Sequence, residues 1–189
     1  MKIASAFPWA AFLLVGVGCG TVPPLSDGGR ERFEGRRGWS VVRNVPFIPQ
    51  EGRDDCGAAA LAMVLSSQGR VASMHEILSA CPPSAGGIRA AELRDFARRR
   101  GMEAFLFAGS FEDLEREIGE GRPVLVGLVH GTGTCRVAHY EVAAGVNSGR
   151  REIALVNPAS GWRRLGWDEF RTAWDPAGRL AMTVAQSAD

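Results

Sequence analysis

Small and apolar residues recur without proline from Cys56 to Gln68, with Asp54 and Asp55 ahead of them and Gly69 behind. Acids at the start and glycine at the end punctuate a helix whose amino terminus falls at or just before Cys56. Ser73 to Ala80 reads as a second, shorter helix, because Ser73 and Glu76 stand at capping-box spacing. Pro82, Pro83 and Gly86-Gly87 then break the chain. Ile88 to Arg100 gives a third helix, apolar at Leu93, Phe96 and Ala97, with Arg98 to Arg100 at the end where the helix dipole prefers cations.

The pattern then changes period. Met102 to Phe107 predicts a strand, Phe111 to Ile118 a helix and Pro123 to Val129 a fully apolar strand. His139 to Val146 and Glu152 to Val156 predict two strands joined at Asn147-Ser148-Gly149 as a hairpin. Trp162 to Leu165 predicts a strand, Trp167 to Trp174 a short helix and Leu180 to Val184 a closing strand. Val41 to Ile48 is β-branched and apolar, and Pro46 and Pro49 confine it to an edge or irregular strand. Helices first and an antiparallel sheet second make the class α+β.

Ahead of this domain the pattern is different. Residues 1 to 18 carry Lys2, an apolar run from Ile3 to Val17 and small residues leading to Cys19, the layout of an export signal. Pro8 interrupts the run, which is shorter than the roughly 20 apolar residues of a spanning helix. Gly18-Cys19 resembles the processing site of bacterial lipoproteins, which makes Cys19 the expected lipidation site. Residues 19 to 38, with Pro23, Pro24, paired glycines and few apolar residues, are expected to be a flexible tether, and residues 39 to 189 the folded domain. The protein is therefore expected outside the cytoplasm, held to the cell envelope by lipid. In a Gram-negative cell that means the periplasmic side of the outer membrane.

Composition removes several function classes. The 189 residues hold 22 basic and 21 acidic side chains, and removal of residues 1 to 18 takes away Lys2 and no acid, so no global field draws nucleic acid. Lys2 is the only lysine, which excludes a phosphate-binding G-x-x-x-x-G-K-[ST] loop and with it ATP chemistry of that kind. Four cysteines without a C-x-x-C pair make neither a disulfide scaffold nor a structural zinc site.

Cys56 is the candidate nucleophile, since a thiol on the first turn of a helix meets unpaired N–H groups that favour the thiolate. A thiolate nucleophile needs an imidazole, and the folded chain offers His75, His130 and His139. His139 begins a strand beside Tyr140, and Asn157 ends the next one. In an antiparallel hairpin those two positions are neighbours, so Asn157 can orient the imidazole. Gln50, in the loop before the helix, can supply a side-chain amide to a developing oxyanion.

The segment from Val45 to Leu65, with Gln50 six positions before the cysteine and the step Asp55-Cys56-Gly57, resembles the nucleophile region of the bacteriocin-processing, double-glycine leader peptidases, which are papain-like cysteine peptidases. His139-Tyr140 and the alternating residues after it are similar to the family's histidine strand. Asn157-Pro158-Ala159-Ser160-Gly161 resembles its third motif, with Trp167-Asp168-Glu169-Phe170 beyond. The resemblance implies a papain-like fold in which Cys56 attacks the scissile carbonyl, His139 is base and then acid, Asn157 orients His139, and Gln50 with the Cys56 N–H holds the oxyanion. It implies a peptide or protein substrate and no cofactor. Leader peptidases usually carry Asp at the third position, where Asn157 is similar to papain itself, and many are the front end of ATP-driven exporters, whereas this chain reads as a free-standing, exported relative.

Two other functions remain open to the sequence. One is a peptidase of peptidoglycan cross-links, whose motif usually reads Asp-Cys-Ser-Gly where this chain has Asp55-Cys56-Gly57-Ala58; the other is a non-catalytic peptide-binding lipoprotein. His130, Cys135 and His139 are weak as metal ligands because no carboxylate lies between them. Cys81 and Cys135 are candidates for a disulfide, His75 for a surface residue, Asp55 for shaping the loop or the helix start, and Trp162 for a core aromatic or a shield over the His139–Asn157 pair.

Overall fold

A computed structural model describes residues 27–131, 133 and 136–187. The expected export signal, Cys19, the first part of the expected tether and Cys135 lie outside the described residues. Seven strands and five helices alternate as β1 (Trp39–Val41), α1 (Cys56–Ser67), α2 (Met74–Ala80), α3 (Ala90–Arg99), β2 (Met102–Ala108), α4 (Phe111–Gly119), β3 (Val124–His130), β4 (Val137–Asn147), β5 (Glu152–Asn157), β6 (Gly161–Gly166), α5 (Trp167–Trp174) and β7 (Leu180–Gln186). The strands form one sheet in the order β2-β7-β3-β4-β5-β6, with β1 paired to the far end of β4. Every strand pair is antiparallel. Leu125 and Val126 are adjacent on β3, point to opposite faces and are both fully buried, so the middle of the sheet is covered on both sides. Helices α1, α2 and α3 pack on one another, α1 also lies against β3 and β4, and α5 packs on β3.

The helices begin and end close to where their punctuation places them. The Ser73–Glu76 capping box forms, and so does one at Ser110 and Asp113 ahead of α4. The hairpin of β4 and β5 forms as well, but its turn spans residues 148–151 between the paired Asn147 and Glu152, and the positive φ falls on Arg151 rather than Gly149.

Two stretches differ from expectation. The strand expected over Val41 to Ile48 is only Trp39–Val41, because after the Val42 N–H reaches the Ala144 carbonyl the chain leaves the sheet toward Pro46 and Pro49. The expected tether is also shorter: Asp27–Arg32 form a 3-10 turn, and Phe33 is buried with its ring 4.8 Å from that of Trp39 and 6.0 Å from that of Trp162. Phe33, Gly29 packed against Trp162, and Arg30 bonded to the Arg43 carbonyl dock this stretch on the domain.

An aromatic cluster ties α4 and α5 together. Phe111 meets Trp167 edge-on at 5.0 Å, and the fully buried Phe170 and Trp174 pack behind. Trp174 is pinned, since its Nε1–H donates to the Leu180 carbonyl at 2.9 Å. A Cβ on Gly109 would stand 2.7 Å from Trp174 Cη2, so Gly109→Ala forces an overlap that the indole cannot relieve by turning. The expected loss is about 1–3 kcal/mol of unfolding free energy, measured by urea denaturation of the variant against the parent chain.

Candidate active site

Helix α1 is a buried wedge: every residue from Cys56 to Leu65 is buried. Burial all round, rather than on one stripe, is what a run of alanines with Leu61, Met63 and Leu65 requires. The wedge fixes the position of Cys56 at its tip. Asp55 does not cap the helix with its side chain. Its Oδ2 instead accepts from the backbone N–H groups of Glu51 (3.1 Å) and Gly52 (2.7 Å), so this carboxylate shapes the loop before the cysteine and leaves the first-turn N–H groups without a side-chain cap. Gly57 follows because the Tyr140 ring lies there: a Cβ would stand 3.1 Å from Tyr140 Cδ2 and 3.2 Å from Leu93 Cδ1. The Tyr140 hydroxyl donates to the Ile88 carbonyl at 3.0 Å, and burial, with the charge of Cys56 adding to it, pushes that phenol up to about 12.

Five polar side chains from four neighbouring strands share one face of the sheet. They are His130 on β3, His139 and Glu141 on β4, Asn157 on β5 and Arg163 on β6, placed together by the alternation of strand residues and the pairings Leu128–His139, Val126–Glu141 and Leu155–Arg163. His139 Nε2 lies 2.9 Å from Asn157 Oδ1, which also accepts from the Ala159 N–H at 2.8 Å. Burial lowers the pKa of His139, but hydrogen bonding to Cys56, the charge of Glu141 and the bond to Asn157 outweigh it, so the imidazole sits above its ordinary value. Cys56, His139 and Asn157 are therefore brought together.

Glu141 escaped the sequence reading. It is fully buried, accepts from Arg163 Nε at 2.8 Å on Oε2 and from Arg163 Nη2 at 2.6 Å on Oε1, and also meets Asn157 Nδ2 and His130 Nε2, each at 3.2 Å. Burial pushes this carboxyl up, while the bonds from His130 and Arg163 and the Arg163 charge more than offset that and hold it below the usual range. It is ionised at neutral pH. The signal for it was a lone acid inside the strand His139-Tyr140-Glu141-Val142, two residues from the histidine and on its face.

Gln50 stands on the loop before α1, and its backbone N–H donates to the Pro158 carbonyl at 3.1 Å, which fastens that loop to the turn after Asn157. Its Nε2 donates to the Gly52 carbonyl at 2.8 Å, leaving the second amide hydrogen for another acceptor. Trp162 lies on the sheet face opposite Arg163 and Asn157, packed against Phe33, as a core aromatic does. The Cys81 thiol is buried and contacts the Glu92 carbonyl, while Cys135 lies outside the described residues. His75 is exposed. No group of three or more His, Cys, Asp or Glu among the described residues is placed to hold a metal.

A cavity of about 750 Å³ opens over Cys56 and His139. Its walls come from Arg53 and Asp54 before α1, from Ala85-Gly86-Gly87 between α2 and α3, and from the start of β4, where Val137 is 53% exposed at the rim. Gly86 and Gly87 leave their part of the cavity wall without side chains, and Val137 gives the rim an apolar residue.

The model of the Peptidase C39 family matches residues 44–189. A search of curated proteins finds no match. Among solved structures, the peptidase domain of Streptococcus ComA, a bifunctional ABC transporter involved in quorum sensing, is 22% identical with a TM-score of 0.62, covering 74% of this chain and 97% of that one. A double glycine motif protease from an AMS/PCAT transporter, in complex with its leader peptide, is 21% identical with a TM-score of 0.62, covering 88% and 100%. A C39-like peptidase from Bacillus anthracis is 18% identical with a TM-score of 0.66, covering 80% and 99%. At these identities the structures establish a shared papain-like α+β fold, and the family match adds the chemistry. The chain belongs to the Peptidase C39 family and is a cysteine-type peptidase.

Proposed function

We propose that this chain hydrolyses peptide bonds with Cys56 as nucleophile, His139 as base and then acid, and Asn157 as the residue that orients His139. The observation that carries the reading is the His139 ring, held by Asn157 at 2.9 Å through Nε2 and lining one cavity with Cys56 at the tip of α1. The thiol proton passes to His139. The sulfur forms a bond to the scissile carbonyl carbon as the carbonyl π pair moves to oxygen. That oxyanion meets the Cys56 N–H, which no side chain caps, and the free hydrogen of the Gln50 amide. Collapse breaks the C–N bond, His139 protonates the leaving amine, and a water deprotonated by His139 then releases the acid from the thioester.

The substrate class is a peptide in extended form. A leader peptide bound to a double glycine motif protease of similar fold supports this reading, as does the cavity over Cys56, whose lining includes Gly86, Gly87 and Val137. The apolar run ahead of Cys19 supports an exported enzyme held to the envelope by lipid on that cysteine. Among the described residues no helix is long and apolar enough to cross a membrane.

Iodoacetamide alkylation across pH tests the nucleophile. Cys56 should label at pH 6 at least about tenfold faster than a free thiol, and Cys56→Ser should lose both that labelling and peptide cleavage; labelling that appears only above about pH 8.5 would leave a peptide-binding protein instead. Fractionation tests the anchor. Expressed from its full sequence in a bacterial host, the protein should sediment with membranes and Cys19→Ser should move it to the soluble fraction; a parent chain that is itself soluble removes the lipid.

A further inference from the structure

Asn157 has two chemically different ends, and which end faces His139 decides which ring nitrogen carries a proton. The answer is set from behind. One step beyond the Val142–Val156 pair, Glu141 on β4 stands across from Asn157 on β5, and Glu141 Oε1 lies 3.2 Å from Asn157 Nδ2. An ionised carboxylate only accepts, so the amide end toward it must be the NH2 group. The oxygen end is then turned to His139 and to the Ala159 N–H. An oxygen at 2.9 Å from Nε2 requires that Nε2 carry the proton, which leaves Nδ1 as the ring nitrogen with a free lone pair.

We propose that Glu141 is a positioning residue of the site: its buried carboxylate, clamped by Arg163, fixes the orientation of Asn157 and through it the tautomer and the charge preference of His139. The inference rests on the proposed roles of Cys56, His139 and Asn157. A flipped amide would offer His139 a donor, place the proton on Nδ1 and leave no base facing the thiol. Once His139 takes the thiol proton, the same carboxylate lies behind an imidazolium and stabilises it, so a neutral Asn157 stands in front of a full negative charge.

The charged and titratable groups around this carboxylate are Arg163 from β6, His130 from β3 and His139 from its own strand; those around His139 are Cys56 from α1, Glu141 and His130, whose ring centre is 5.8 Å away. Arg163 keeps Glu141 charged whatever the state of His130, because its two bonds engage both carboxylate oxygens.

The test uses the full chain, with iodoacetamide as the probe of Cys56 and ¹⁵N-histidine NMR as the probe of the His139 tautomer. Above the pH at which His139 loses its imidazolium proton, the parent chain should show a single Nε2–H tautomer. Glu141→Gln, whose amide can present either end to Asn157, should show a mixture, label about tenfold more slowly at pH 6 and lose imidazolium at lower pH than the parent. Asn157→Asp added to Glu141→Gln moves the negative charge onto the residue that touches His139, and this double variant should recover the parent's rate to within about threefold.

An unchanged tautomer and pH 6 rate in Glu141→Gln would overturn the proposal. Should that variant not fold, the parent chain decides: a neutral His139 that shows Nδ1–H or a mixture of tautomers means that no carboxylate fixes Asn157 from behind. A parent chain that labels only at high pH sinks the roles given to Cys56 and His139, while the tautomer measurement still judges Glu141 separately.

Discussion

The register of β4 on β5 governs whether this molecule has a site. Side chains along a strand alternate between faces, so a slip of one residue in the pairing that begins at Val142–Val156 would carry His139 and Glu141 to the opposite side from Asn157. The register is held by burial: Val142, Ala143, Val146, Ile153, Leu155 and Val156 are all inside, and a slip would move each of them. Between Ala143 and Gly145 the ladder shifts by one residue, and there Gly145 packs a bare Cα against Ala154, where a Cβ would come within 3.0 Å. The bulge confines the irregularity to the far end of β4, where β1 joins, and leaves the end bearing His139 regular.

The second constraint is the wedge. A helix of alanines and leucines buried on every side has nowhere to move, so its tip is as fixed as the sheet. The Asp55 loop below it and the Gln50–Pro158 backbone bond beside it tie the tip to the turn after Asn157. Gly57 then lets the Tyr140 ring lie against the first turn, so the residue after the candidate base packs on the residue after the candidate nucleophile. The two halves of the chain meet at those neighbours, and the cysteine and the histidine face each other as a consequence of packing rather than of any bond between them.

Much of this was legible because the signals are local. The capping box at Ser73, the acids and glycine around α1 and the apolar runs of β3 and β5 each act over a few residues, and a hairpin with one short turn leaves a single antiparallel pairing for His139 and Asn157. The unread parts are non-local. Val42 leaves the sheet because of a partner at Ala144, and Phe33 docks because Trp39 and Trp162 form a place for it. Glu141 is the clearest case: its partners Asn157 and Arg163 lie 16 and 22 positions away, and only the sheet brings them to one face. In one dimension it is a polar residue interrupting an apolar strand.

A carboxylate with no exposed surface between strands is an expensive feature, since taking a charge out of water costs several kcal/mol and well-packed apolar residues in place of such a pair are often neutral or stabilising. Stability alone therefore gives no reason for Glu141 and Arg163. Both carboxylate oxygens are engaged by the guanidinium, and Oε1 also takes the Asn157 amide and the His130 contact, an arrangement in which little freedom is left. What such a network provides is a fixed direction for each hydrogen bond in it. The direction runs from Arg163 through Glu141 and Asn157 to Nε2 of His139, and under the proposed roles it reserves Nδ1 as the ring nitrogen that takes the thiol proton.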